Sequence, residues 1–387
     1  MSKKVKKHKK AEICLEPDGF SIHTFELSMQ LSKSEWHNCK EQLYAEQKKS
    51  SENFIYADKA CKGLHICTKY ADAGIRIRLE HIGSKKGNLK YFVRMIVNPR
   101  KLVYPQSGYL GILPPEEGSI ELLEKTFRHQ FHKSPFEKDL RKYYLSRVDL
   151  CTNIRCDNKK VFRELVRLLR KTATPKKYER ILYQHKDKKK ANKYNKHYIR
   201  LACDSQELVI YDKTYQLSEN DLIVAYEDLP SGVLRIEVHY GRDKLRYIEK
   251  EHKTDDPLDL LWLLMQQSKQ RICKLVEKCY PDLPYVSYED GLGTINAHKK
   301  FPQDAKDAMR TLLTEMQRKQ TIDASFRSME KQGIQTDRLL CKFDKLGISP
   351  IPLRKNYAAK RMPSLPKILQ TAGDKTFVVN LHFEKWK

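Results

Sequence analysis

A phenol, two carboxylates and an imidazole stand where short strands would present them together. Tyr211 closes the run Leu208-Val-Ile-Tyr211. Leu208 and Ile210 alternate there with Val209 and Tyr211, the period of a strand. The stretch 198–213 reads as a hairpin with Tyr211 on its second strand. Residues 147–154 set Val148, Leu150 and Thr152 on one face and Arg147, Asp149, Cys151 and Asn153 on the other. Residues 233–240 set Leu234, Ile236, Val238 and Tyr240 against Arg235, Glu237 and His239. If the three strands share a sheet, their polar sides converge. A tyrosine can attack a DNA phosphodiester, but a phenol near its usual pKa of about 10 is a weak nucleophile and needs help. A divalent cation supplies it by neutralising the phosphate and orienting it for in-line attack. Mg²⁺ and Mn²⁺ favour oxygen ligands, so Asp149 and Glu237 are the candidate metal ligands. His239 joins them or hydrogen-bonds the phosphate. Arg147 and Arg235 either clamp phosphate or pair with the carboxylates. Lys213 shares the Tyr211 side and helps position DNA.

Each signal has a plainer alternative. A strand tyrosine is most often packing, and an Arg-x-Asp or Arg-x-Glu is most often an ion pair. Three such strands in order weigh against that because the chain is strongly basic. Lys plus Arg number 75 against 49 Asp plus Glu, a formal charge of +26 over 387 residues. Such an excess attracts polyanions, nucleic acid first among them, although ribosomal or membrane-surface binding would carry a similar charge. The loop 176–197 interleaves Tyr178, Tyr183 and Tyr194 with lysines, Lys188, Lys189 and Lys190 among them, and Tyr198 follows. Lysines can track phosphates while aromatics stack on unpaired bases; a solvated loop is the alternative. The ten cysteines contain no CxxC pair. Neither Cys61 and Cys67 around His65 nor Cys273 and Cys279 make a zinc spacing, so they read as reduced thiols of a cytoplasmic protein. No signal peptide or membrane span is expected.

The elements that must position these groups follow in order. Residues 1–18 read as a basic arm with Lys3–Lys10 free for phosphate contacts. A strand over 19–30 and a helix from Ser32 or Ser34 to about Gln47 come next. Strands over 74–82 and 89–98 flank a turn, and a helix covers 119–133. The second series runs from strand 147–154 to a helix at 159–171 capped by Asp157 or Asn158, a strand at 178–184, the hairpin and strand 233–240. Units 19–145 and 146–255 share a β-α-β-β rhythm. The expected fold is α+β, a pseudo-duplicated antiparallel sheet with flanking helices. A helical region follows over 256–349. It opens with one helix from Asp256-Pro257 to about Cys279 and continues with helices at 302–318, at 322–332 and from Thr336 to Lys345. A tail over 350–387 carries a last strand near 376–383.

Arg147-Val-Asp149-Leu, Ile210-Tyr-Asp-Lys213 and Arg235-Ile-Glu237-Val, in this order and at these separations, resemble rolling-circle replication initiators. The likeness is to the filamentous-phage gene II protein and to the replication initiation factor family of plasmids and conjugative elements. It covers residues 65–255, and more loosely the helical part beyond. The resemblance implies that Tyr211 nicks and rejoins origin DNA through a covalent intermediate. It places Asp149 and Glu237 in a metal site, makes a hairpin origin the substrate and a helicase the partner, and in plasmid systems suggests a homodimer. The chain departs from many relatives in carrying Asn153 where they have a second acid. It also lacks a His-hydrophobe-His motif, and His129 and His132 read as surface or packing residues. Tyr183, Tyr194, Tyr198 and Tyr215 are the other candidate nucleophiles. A conjugative relaxase of the same chemistry, a non-catalytic DNA-binding regulator and an RNA-binding or ribosome-associated protein are the competing readings.

Overall fold

The computed structural model describes residues 11–83, 89–105, 111–156, 158–219, 232–319, 321–355, 357, 359–370 and 378–381. The Lys3–Lys10 run, Asp157 and the turn over 84–88 lie outside the described residues.

The fold is mixed α/β. Ten strands form one antiparallel path: β1 (Ala11–Leu31), β2 (Ile55–Ala57), β3 (Leu64–Cys67), β4 (Ile75–Ile82), β5 (Lys90–Val97), β6 (Tyr144–Cys156), β7 (Glu179–Arg180), β8 (Tyr198–Cys203), β9 (Gln206–Asp212) and β10 (Gly232–Gly241). Their order is β2-β3-β4-β5-β1-β6-β10-β9-β8-β7. Val378–Leu381 pairs with the start of β1, inside the segment expected to be an arm. The path reads from the centre outward in both directions. β1 leads into the helix Lys33–Lys48 and then β2–β5, with β5 returning to β1. β6 leads into the helix Lys159–Lys171 and then β7–β10, with β10 returning to β6. β1 and β6 pair with each other at the middle.

Alternation decides which side of the sheet is covered. Val148, Leu150, Leu234, Ile236, Val238, Leu208 and Ile210 are buried on the apolar side. The helix Lys159–Lys171 lies over β6 and β10 and adds Phe162, Leu165, Val166 and Leu169. Burying each such side chain contributes about 1.5–3 kcal/mol. The Asn158 side chain caps this helix by accepting from the Lys160 and Val161 amides, worth about 1 kcal/mol. Gly232 lets β10 approach closely, because a Cβ there would fall 2.3 Å from the Phe162 ring.

Local structure departs from the sequence expectation in several places. The helix expected from 257 to 279 is two, Pro257–Gln266 and Ser268–Cys279, and both lie on the central strands. They divide at Gln267, whose ψ of 2° leaves the helical range. The strand expected at 178–184 shortens to Glu179–Arg180. Inside the lysine-rich loop the Asp187 side chain caps a helix over Lys188–Tyr194. The helix expected from Thr336 begins at Leu339 instead, since the Thr336 hydroxyl donates to Glu330 rather than capping. Gly347, with φ 65°, stops it as expected. No described helix is long and apolar enough to cross a membrane.

Candidate active site

Register brings the chemical groups to one side of the sheet. On β10, Arg235, Glu237 and His239 stand opposite Asn153, Cys151 and Asp149 of β6. On their other flank they stand opposite Tyr211, Val209 and Glu207 of β9. Directly paired residues of an antiparallel ladder project to the same side. Asp149, Tyr211, Glu237 and His239 therefore form one cluster.

Glu237 is its hub. The Tyr211 hydroxyl donates to Glu237 Oε1 at 2.8 Å. His23 Nδ1 lies 3.1 Å from the same oxygen. His239 Nε2 lies 2.9 Å from Oε2 and 3.8 Å from Asp149 Oδ1. The other His239 nitrogen faces Glu207 at 3.4 Å. Asp149 accepts from Arg147 Nε at 2.7 Å and from the Thr24 hydroxyl. Arg235 is fully enclosed beside the cluster. Its Nε donates to Asn153 at 2.7 Å and its other end meets His23 Nε2 at 3.1 Å. Asn153 thus acts here as an acceptor for a buried guanidinium. Lys213 is also buried, and its ammonium reaches Gln216 at 2.7 Å.

Burial sets the proton affinities. It pushes the Tyr211 phenol well above its ordinary value, and the adjacent Glu237 carboxylate adds to the shift. Burial also opposes ionisation of Glu237, but His23 and His239 outweigh it and hold that carboxyl well below the usual range. Burial keeps His23 low, so it donates to Glu237 as a neutral imidazole while Nε2 accepts from Arg235. Burial acts downward on His239 too, yet Glu207 and Glu237 raise it to about 9. Glu207 is drawn down to about 2, chiefly by its hydrogen bond to His239. Desolvation and the Arg235 charge lower Lys213 to about 7.

The cluster opens on one side. A cleft of about 320 Å³ is lined by Arg147, Tyr198, Arg200, Glu207 and His239, with the β8–β9 turn at its far end. The Tyr198 ring lies 6.3 Å from Tyr211, which it opposes in register. Tyr194 lies 5.3 Å from Tyr198, and Tyr183, 40 % exposed, lies 4.4 Å from Tyr194. Tyr215 stacks on His197 at 3.8 Å. Tyr178 stands apart, its hydroxyl accepting from Gln206. Lys188, Lys189 and Lys190 are exposed in the first turn of their short helix. His129 and His132 lie outside the cluster, at the end of the helix Ser119–Gln130 and just beyond it.

The carboxylates do not fit a metal ion as they are arranged. Among the described residues no group of three or more His, Cys, Asp or Glu could hold one. Both oxygens of Asp149 and both of Glu237 are already engaged. An ion at Asp149 and Glu237 would have to displace Arg147 or His239.

The sequence reading passed over His23, Thr24, Arg200 and Glu207. Glu207 was legible, since it precedes Val209 and Tyr211 at strand spacing on the same side. His23 was not. It is the extra residue of a bulge, because β1 pairs Ile22 with Leu150 and then Thr24 with Asp149. A bulge re-aims a side chain without a local sequence signature of its own.

No protein-family model matches the chain, and no curated protein matches it in sequence.

Proposed function

We propose that the chain nicks and rejoins DNA through a covalent tyrosine intermediate, as a replication initiator of a phage, plasmid or mobile element. The observation that carries this reading is the Tyr211 hydroxyl held 2.8 Å from the Glu237 carboxylate, in a cluster that also holds His239. Tyr211 Oη attacks the scissile phosphorus and its proton passes to Glu237. The bond from phosphorus to the leaving sugar oxygen breaks, and that oxygen takes a proton from the His239 imidazolium. Arg147 and Arg200, at the cleft, stabilise the phosphate. Rejoining runs the same steps in reverse. Mg²⁺ or Mn²⁺ belongs to the proposal only as an ion to be tested, and no step is assigned to it. The two series of elements that meet at β1 and β6 are read as related units, supported by a shared order of a long strand, a helix and four further strands, with the helices Lys188–Tyr194 and Lys213–Glu219 added in the second. Origin DNA is the proposed substrate and a helicase the proposed partner, with a homodimer as the assembly. A relaxase would use the same groups.

A second reading keeps the chemistry and moves the nucleophile. Tyr211 is only 7 % exposed, whereas Tyr198 lines the cleft itself beside Arg147, Arg200 and His239. The test is covalent trapping. The chain is incubated with Mg²⁺ or Mn²⁺ and single-stranded oligonucleotides tiled across the DNA element that encodes it. Adducts are resolved on a denaturing gel, and the modified peptide is mapped. Tyr211→Phe should lower adduct formation at least about a thousandfold, the scale on which removing a nucleophile shows. An adduct that survives in Tyr211→Phe and disappears in Tyr198→Phe transfers the role to Tyr198. No adduct from the unaltered chain with any oligonucleotide removes the strand-transfer reading.

A further inference from the structure

The polar side of the sheet does not end at the tyrosine cluster. Arg147 stands opposite Glu26 on β1, and Glu26 and Ser28 stand opposite Ile96 and Arg94 on β5. Ile96 and Arg94 stand opposite Arg76 and Arg78 on β4. Arg78 continues to Ile66 on β3, and Ile66 to Tyr56 on β2. All of these project to the side that carries Asp149 and His239. The intervening residues Ile75, Ile77, Leu79, Val93, Met95 and Val97 face the other way and are buried.

This part of the face is open. Arg76 and Arg78 are exposed, and Tyr56 is 44 % exposed. Arg94 is occupied by Glu80 at 2.5 Å and Glu26 at 3.8 Å, and its guanidinium lies 5.9 Å from the Phe92 ring. Arg76 and Arg78 have no hydrogen-bond or ion-pair partner among the described residues. They are two free cations of one sign at alternate positions of an interior strand. Beside them lie aromatic rings that the core does not need. Three strand spacings, about 14 Å, separate β4 from β6, so a few nucleotides of an extended strand would bridge from Arg76 to Arg147.

We propose that the outer face of β2–β5 is a platform for single-stranded DNA, holding the strand that flanks the segment at the tyrosine cluster. The arginines take phosphates, and Tyr56 and Phe92 offer surfaces on which unpaired bases stack. A duplex buries its bases and would use only the charges. The proposal rests on the strand-transfer reading for what the platform delivers, not for the binding itself.

The experiment uses the full chain and its double variant Arg76→Gln/Arg78→Gln. Neither side chain has a partner to lose, so circular dichroism should be unchanged. Fluorescence anisotropy with a labelled single-stranded oligonucleotide of mixed sequence gives Kd over a salt series. Each phosphate contact on a single strand contributes about 0.7 to the slope of log Kd on log salt, so two lost contacts should lower it by about 1.4. An iodouracil-substituted strand should photo-cross-link to Tyr56 or Phe92. An unchanged slope, or cross-links confined to 183–198, overturns the platform. If both proteins form the tyrosine adduct while the slope is unchanged, the platform fails and strand transfer stands. If the slope falls in a chain that never forms an adduct, strand transfer fails and the platform stands.

Discussion

The two halves of the sheet each pair four strands outward from a central one, β1 or β6, and treat their polar face in opposite ways. In the first half, Glu26 and Glu80 are met by a guanidinium, Arg94, whose side chain is 31 % exposed. In the second, Glu237 is met by a phenol and two imidazoles, and its side chain is 8 % exposed. A guanidinium keeps its proton at any working pH, so the first arrangement can only hold charge. A phenol and an imidazole can give protons up, so the second can move them. One sheet thus carries a face of fixed charge and a face whose groups can exchange protons.

The sharpest way to break that contrast is to remove one charge from each half. Glu237→Ala leaves Tyr211, His23 and His239 facing a buried gap. It should cost about 3–5 kcal/mol, the range for breaking a buried charged pair. Arg94→Ala removes a partly solvated pair and should cost about 1 kcal/mol or less. Urea denaturation of the two variants measures both. Equal losses would mean that the Glu237 cluster is only another ion-pair network. Glu237→Gln, which keeps an acceptor for Tyr211, should recover much of the stability but not the adduct.

Acid and base should then act on the Glu207–His239 pair of the second half. Glu207 titrates at about 2 in the fold against an ordinary 4.5. Its contribution is complete above 4.5 and disappears as pH falls toward 2. His239 is raised to about 9 against 6.5. Its contribution is complete below 6.5 and disappears as pH rises through 9. The pair therefore favours folding most between pH 4.5 and 6.5. The loss on either side should be about 2 kcal/mol, counted once for the pair because both groups are partly solvated. His239→Gln should flatten the alkaline limb in urea midpoints taken without added metal. A limb that persists in that variant assigns the titration elsewhere.

Much of this was legible in the chain. Alternation alone put Asp149, Tyr211, Glu237 and His239 on polar sides of three strands, and those strands are neighbours. Periodicity does not say whether a polar side faces water. Arg235 looked available to clamp phosphate and is enclosed, hydrogen-bonded to the equally enclosed Asn153. The same limit applies to Lys213. The open face of β2–β5 was equally hidden, since Arg76 and Arg78 alternate as strictly as the residues of the enclosed half. Which half is covered depends on what the intervening chain packs against, a tertiary outcome that strand spacing does not encode.

The lysine run offers the smallest effect and a different kind of evidence. Lys188, Lys189 and Lys190 open the helix Lys188–Tyr194, and only Asp187 caps it. Cations near a helix N-terminus oppose the helix dipole, by about 0.3–1 kcal/mol each at an exposed site. Charges held against local stability suggest a use outside the fold. Changing all three to Gln should leave stability equal or slightly higher while weakening binding to a single strand and lowering the salt slope by up to about 2. Thermal melting and the anisotropy series read the two quantities separately. A variant that melts lower, or binds with the wild-type slope, would return these lysines to a solvated surface and leave the arginines of the first half as the main phosphate contacts.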